Sequence, residues 1–201
     1  MPVAAIIPIR SFTDGKGRLA SALDAQTRSL VATSMAERTL TATESALMIP
    51  AIVTADTGVA SWAASLGIPV IEESGRGLNG AATDGMRWAT DNNLQWLILH
   101  SDLPLITGPE LGDVALAVGS GSAVLAPSAD GGTSGLSSPT PIEFRYGSLS
   151  AHRHLAQMAD VEVIARTGLL HDLDSPNDLQ TAMSHREGKW LRAVVGWPDP
   201  R

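Results

Sequence analysis

The chain has 201 residues, no cysteine, and 14 Lys and Arg against 21 Asp and Glu, a formal net charge of -7. That length accommodates one α/β domain with a substantial core, and the lack of cysteine excludes disulfides, thiolate nucleophiles and Cys-ligated zinc. The few basic residues are scattered, which excludes the electrostatic footprint of a duplex nucleic-acid binder but not a small phosphorylated ligand held by local cations or a metal ion.

Residues 3–9 form an apolar run too short to span a bilayer and with no basic stretch before it, so they predict a buried first strand rather than a signal peptide. With no cysteine and no membrane segment, a cytoplasmic protein is expected. A long polar loop follows at 10–18, rich in glycine and cations. Hydrophobic spacing predicts a helix over 26–43 with Leu30, Val31, Met35 and Leu40 on its inner face, a strand at 51–54, and a helix over 57–66 closed by Gly67 and Pro69. A short strand at 70–71, a helix from 77 to about 92 and a strand at 96–99 come next. Thr107, Pro109 and Glu110 mark a helix start. A strand at 123–127 runs into 128–135, a segment too glycine-rich to be regular. Residues 142–146 read as a strand, 150–159 as a helix and 161–165 as a last strand, with Ser175 and Pro176 opening a final helix. From about 188 an irregular tail is expected, whose Trp190 and Trp197 can dock on the body. Strands alternating with helices predict a mostly parallel sheet sandwiched by helices, as one domain over 1–201.

The run at 97–99 ends on His100, Ser101 and Asp102 and is stopped by Pro104. In open α/β sheets ligands bind outside the carboxyl ends of the strands, where an Asp can hold Mg²⁺ against a nucleotide phosphate; an Asp is also a common turn or cap residue. A second acidic pair, Asp172 and Asp174, precedes the Ser175 cap. Carboxylates brought together from distant segments need a cation between them, although the pair alone also fits a solvated turn. Gly131, Gly132 and Thr133 offer backbone N–H groups and a hydroxyl, either an anion nest or a flexible surface loop. Lys16 and Arg18 can neutralise a triphosphate or stand as solvated cations. The spacings of a P-loop, a dinucleotide fingerprint and a nucleophile elbow are missing. Because His152 and His154 point in different directions on a helix, they predict one exposed and one packed ring rather than zinc ligands.

Taken in order, these segments resemble the phosphoenolpyruvate or 2-phospho-L-lactate guanylyltransferases of coenzyme F-420 biosynthesis, nucleotidyltransferases related to the molybdenum-cofactor guanylyltransferases. The likeness rests on Pro8, Ile9 and Arg10 with Gly15 to Leu19; Gly77, Leu78 and Asn79; His100 to Leu105; Pro127 to Thr133; Phe144 to Gly147 with Ser150 and His154; and Asp172 to Pro176. It implies a nucleotide-diphospho-sugar-transferase-like, Rossmann-like fold. The implied reaction is transfer of GMP from GTP to phosphoenolpyruvate or 2-phospho-L-lactate with Mg²⁺ and release of pyrophosphate. Asp102 and an acid of the pair Asp172 and Asp174 are the implied metal ligands, with Asp102, Asp172 and Lys16 catalytic. Thr133, Gly147 and Ser150 would hold the acceptor, and Arg10, Lys16, Arg18 and Asn79 the nucleotide. The chain departs from the family pattern at Arg10, usually Lys, at Ser134 and Gly135, usually Asn and Ala, and at Ser148 and Leu149, where a glycine is preferred. The expected partners are small molecules, with no nucleic acid or membrane, and the chain is a monomer or homodimer. Rival readings are a nucleotidyltransferase for another acceptor, such as 3-phosphoglycerate or molybdopterin, and a non-catalytic nucleotide-sensing domain of the same fold.

Overall fold

Val3–Pro8 (β1) runs through the middle of a seven-stranded sheet, where five of its six residues are buried. The computed structural model describes residues 1–75 and 77–197. Strand β1 pairs in parallel with Ile49–Thr54 (β2) and with Gln95–Leu99 (β4), and β2 pairs in parallel with Val70–Glu72 (β3). Beyond β4 the order continues with Thr133–Ser137 (β6), Ala123–Pro127 (β5) and Val161–Val163 (β7), giving β3-β2-β1-β4-β6-β5-β7. Strand β6 is antiparallel to both of its neighbours, while β7 is parallel to β5.

Residues 128–132 are irregular as expected, but strand β6 corrects that expectation for 133–135. Its residues Thr133, Ser134, Gly135, Leu136 and Ser137 are all buried, held by ladder pairing on two sides rather than by large apolar side chains. The space is narrow: a Cβ at Gly135 would lie 3.2 Å from Ala126 Cβ. Residues 142–146 depart in the opposite sense. Phe144 and Tyr146 are buried at alternate positions as in a strand, but the segment joins no ladder and lies as extended chain over the sheet.

Helices cover both faces. Ala25–Ser45 (α1) is capped by Asp24, which accepts from Thr27 N at 2.7 Å, and Thr57–Ser65 (α2) by Asp56, which accepts from Val59 N at 2.9 Å. Val31, Met35 and Leu40 face inward on α1, but Leu30 is 51% exposed because it falls outside that stripe. Gly77–Asp91 (α3) packs the opposite face through Ala81, Ala82 and Ala89 against Ala4, Ile6 and Ile98. Gly108–Gly119 (α4) begins after Thr107, whose hydroxyl donates to Glu110 Oε2 at 2.7 Å rather than capping the backbone. Glu110 Oε1 in turn accepts from Gly168 N at 2.9 Å, tying α4 to Thr167–Leu170 (α6). Ser150–Leu155 (α5) is shorter than expected, and Pro176–Ser184 (α7) carries the expected Ser175 capping box. The segment from 188, expected irregular, contains a helix, Trp190–Val195 (α8), with Leu191 buried and Trp190 Nε1 donating to Pro104 O at 3.0 Å. No helix among the described residues is long and apolar enough to cross a membrane.

A third apolar cluster, away from the two sheet faces, joins Leu19, Val31, Met35, Leu105, Leu173, Leu179, Met183 and Leu191. It sits beneath the loops that carry Lys16 and the second acidic pair, and so sets where those charges meet.

Candidate active site

Lys16 has a left-handed backbone, φ 58°, which a non-glycine residue adopts at a cost of about 1–2 kcal/mol. The conformation is held by the 3-10 turn Gly17–Ser21, in which Leu19 N donates to Lys16 O at 2.9 Å and the Leu19 side chain is fully buried. The turn directs the Lys16 amine inward. Its Nζ donates to Asp102 Oδ2 at 2.7 Å and to Asp174 Oδ1 at 2.9 Å. Burial works against the charge of Lys16, yet Asp102 and Asp174 raise its pKa above the ordinary lysine value. Arg18, 80% exposed, approaches Asp174 at 3.8 Å.

Asp102 follows β4, and its backbone carbonyl accepts from Leu173 N at 3.0 Å, so the main chain itself locks the two acidic segments together. Burial would push the Asp102 carboxyl up, but the charge and hydrogen bond of Lys16 hold it below the usual range. Its Oδ1 is buried and unpartnered. His100 Nδ1 lies 4.0 Å from that oxygen, but burial lowers the pKa of the imidazole, so the contact is not an ion pair at neutral pH. Asp172 has the opposite character. Burial first, then the negative charge of Asp102, push its carboxyl up to about 6.

Among the described residues no group of three His, Cys, Asp or Glu side chains forms a metal cage on its own. Two carboxylates are nevertheless enough for Mg²⁺, which is commonly held by one or two acids with the remaining oxygens from phosphates and water. The orphaned Asp102 Oδ1 and the unfavourably charged Asp172 fit such a cation. Asp174, expected among the metal ligands, has its carboxylate engaged by Lys16 and Arg18 instead.

On one side of this cluster a cleft of about 770 Å³ opens at the carboxyl ends of β1 and β2 and the start of α3, lined by Ile9, Arg10, Asp56, Glu73, Leu78 and Ala81 among others. Phe12 packs edge-on against Trp62, ring centroids 5.0 Å apart, and pins the first loop to α2. Arg10, expected to contact the nucleotide, lines this cleft. Asn79 does not line it: its Oδ1 accepts from Tyr146 N at 2.7 Å and ties the 142–147 segment to α3.

On the other side lie Thr133, Gly147 and Ser150. Ser150 Oγ donates to Thr133 Oγ1 at 3.1 Å, and Ser150 N donates to Gly147 O at 3.1 Å across a positive-φ turn at Gly147, φ 120°. Of the two readings of Gly131 and Gly132, the anion nest is closed. Gly131 N donates to Ser128 O at 3.0 Å and Gly132 N to Asp130 Oδ1 at 2.8 Å, so neither amide is left for an anion. Ser128 Oγ also donates to Asp130, and these bonds hold the Asp130 carboxyl below its ordinary value. Strand pairing places this pocket beside the acids, since His100 N donates to Ser134 O at 2.9 Å.

The sequence reading missed Asp130 and the ring cluster of half-buried His100 with buried Tyr146 and His154, with centroids 5.3 and 4.9 Å apart along the series. Of the two histidines read together, His152 is exposed and His154 fully buried, as expected of one free and one packed ring.

A family model described as "Guanylyl transferase CofC like" matches residues 3–195. A protein of Nocardia farcinica named phosphoenolpyruvate guanylyltransferase is 35% identical over 210 aligned positions, covering 97% of this chain and 92% of its own. A protein of Methanothermobacter thermautotrophicus named 2-phospho-L-lactate guanylyltransferase is 29% identical, covering 97% of this chain and 90% of its own. Among solved structures, a protein of Desulfovibrio desulfuricans G20 described as a nucleotide-diphospho-sugar transferase superposes with a TM-score of 0.75 at 14% identity over 100% of both chains, a likeness of fold.

Proposed function

The chain belongs to the CofC-like guanylyl transferase family, and from that premise we propose that it transfers GMP from GTP to phosphoenolpyruvate or 2-phospho-L-lactate in coenzyme F-420 biosynthesis. The observation that carries this reading is the placement of Lys16, Asp102 and Asp172 between the cleft at Arg10 and the pocket at Thr133 and Ser150. An oxygen of the acceptor's phosphate forms a bond to the α-phosphorus of GTP, the bond from that phosphorus to the β-bridging oxygen breaks, and pyrophosphate leaves with the electron pair. A phosphomonoester has a second pKa of about 6 and is largely dianionic near neutrality, so the attack needs no general base. This accounts for a site without a nucleophile–base pair.

Asp102 and Asp172 would hold Mg²⁺, which supplies positive charge between two polyanions and to the departing pyrophosphate. Lys16 contributes a second, covalently tethered positive charge, and Asp174 orients its amine. Arg10 serves the nucleotide from the cleft wall, while Arg18, largely exposed, can reach the triphosphate. Thr133, Ser150 and the turn at Gly147 form the acceptor end.

The test is incubation of the purified protein with Mg²⁺, each of the four nucleoside triphosphates, and phosphoenolpyruvate, 2-phospho-L-lactate or 3-phosphoglycerate in turn. Pyrophosphate release and product mass are the readouts. The expected product is a guanosine diphosphate esterified through its terminal phosphate to enolpyruvate or lactate. Pyrophosphate release with no acceptor-containing product, or silence with every pair, contradicts the reading.

A further inference from the structure

The hydrogen bonds around Thr133 permit only one arrangement of protons. His154 is fully buried, and burial pushes its imidazole down to about 4, so at neutral pH one ring nitrogen carries hydrogen and the other a lone pair. The Arg145 backbone N–H points at Nε2 from 2.9 Å, which makes Nε2 the acceptor and leaves the hydrogen on Nδ1. Nδ1 lies 3.0 Å from Thr133 Oγ1, which must therefore accept. Ser150 Oγ donates to the same oxygen at 3.1 Å. A hydroxyl oxygen has two lone pairs and one proton, so both lone pairs of Thr133 are used. Its own proton has no acceptor among the described residues.

Resting on the acceptor pocket described above, we propose that His154 is a positioning residue that, with Ser150, occupies the lone pairs of Thr133 and commits the Thr133 hydroxyl to donate to an anionic oxygen of the acceptor. The backbone amide of Arg145 sets the tautomer, the tautomer sets the direction of the bond to Thr133, and that direction makes the hydroxyl a donor only. A pocket wired in this way favours a phosphate or carboxylate oxygen over a group that must itself donate.

Two substitutions separate the parts. His154→Asn keeps an amide N–H near the position of Nδ1 and loses the group facing Arg145; His154→Gln keeps a polar atom near the position of Nε2 and loses the donor to Thr133. Steady-state kinetics with GTP and phosphoenolpyruvate should show the KM for the acceptor rising about tenfold or more in His154→Gln, the effect expected for loss of a hydrogen bond to a charged group, with the KM for GTP unchanged. His154→Asn should recover most of that loss. Thr133→Val should match His154→Gln, and the double variant should be no worse than Thr133→Val alone. Equal effects of Asn and Gln, equal changes in both KM values, or additive losses in the double variant would overturn the proposal. Nitrogen-15 spectra of the imidazole in the unliganded protein provide a readout independent of turnover, with Nδ1 protonated and Nε2 bare expected. The reverse tautomer would also overturn it. Absence of turnover in the wild-type protein with any phosphorylated acid would refute the transferase reading, and the spectrum would still decide the tautomer.

Discussion

Lys16 stands between carboxylates that lie 86 and 158 residues away in the chain, and the charge of each depends on the others. Asp102→Asn preserves shape and removes the charge that pairs with Lys16 and that the proposed divalent cation would use. Turnover is expected to fall by about 10²–10³ with an unchanged far-ultraviolet circular dichroism spectrum, the scale seen when a preorganised electrostatic contact is removed; a rate near wild type would take Asp102 out of the site. Asp172 makes a separate prediction through pH. Its carboxyl moves from 3.8 to about 6 on folding, so the folded chain binds this proton more tightly than the unfolded one. Its contribution therefore favours the fold at low pH and is lost as pH rises from about 4 to 6. After allowance for solvent screening the loss is of order 1–2 kcal/mol. Thermal melts without divalent cation between pH 4 and 7 should show this decline in the wild type and a flatter profile in Asp172→Asn. Mg²⁺ should raise the wild-type melting temperature most above pH 6, where the carboxylate is charged. The same slope in both proteins would contradict the assignment.

The elements that deliver these side chains depend on the small apolar cluster under the loops. Leu173 is fully buried there, between Asp172 and Asp174. Leu173→Ala is expected to destabilise the protein by about 2–5 kcal/mol, read from denaturant unfolding, and to weaken divalent-cation binding because both acids lose their anchor. Ser175→Ala removes one half of the α7 capping box and should cost about 1 kcal/mol by the same measurement. Much of this architecture was legible in the sequence. Strand β1 and residues 96–99 of β4 are apolar runs, and the run in β4 leads through His100 and Ser101 to Asp102 before Pro104 stops it, which located Asp102 at the carboxyl edge of the sheet. Ser175 and Pro176 announced α7 as cap and first-turn residues. Strand β6 was hidden because Thr133, Ser134 and Gly135 are buried by pairing and by lack of space, neither of which is written in hydrophobicity. Residues 142–146 show the converse, a strand-like alternation that marks burial without a ladder. The site itself was readable as a set of acids and cations but not as a set of partners. The engagement of Asp174 by Lys16, of Asn79 by Tyr146, and of the Gly132 amide by Asp130 are facts of three-dimensional geometry that residue type alone does not carry.

At the scale of the whole molecule, the carboxyl edge of one sheet carries three adjoining regions. The Arg10 cleft lies at the ends of β1 and β2, the acids follow β4, and the Thr133 pocket is at the start of β6. The antiparallel insertion of β6 beside β4 brings the last two into contact, since the His100 amide donates to Ser134 O at 2.9 Å. A chain of net charge -7 can bring two polyanions together only by concentrating cations at that edge. The most direct measurement of this account is the affinity of Mn²⁺, followed by electron paramagnetic resonance with a non-hydrolysable GTP analogue present, for the wild type, Asp102→Asn and Asp172→Asn. The account predicts one tightly held ion in the wild type, with affinity reduced about tenfold or more by either substitution. Undiminished Mn²⁺ binding in both variants would contradict it.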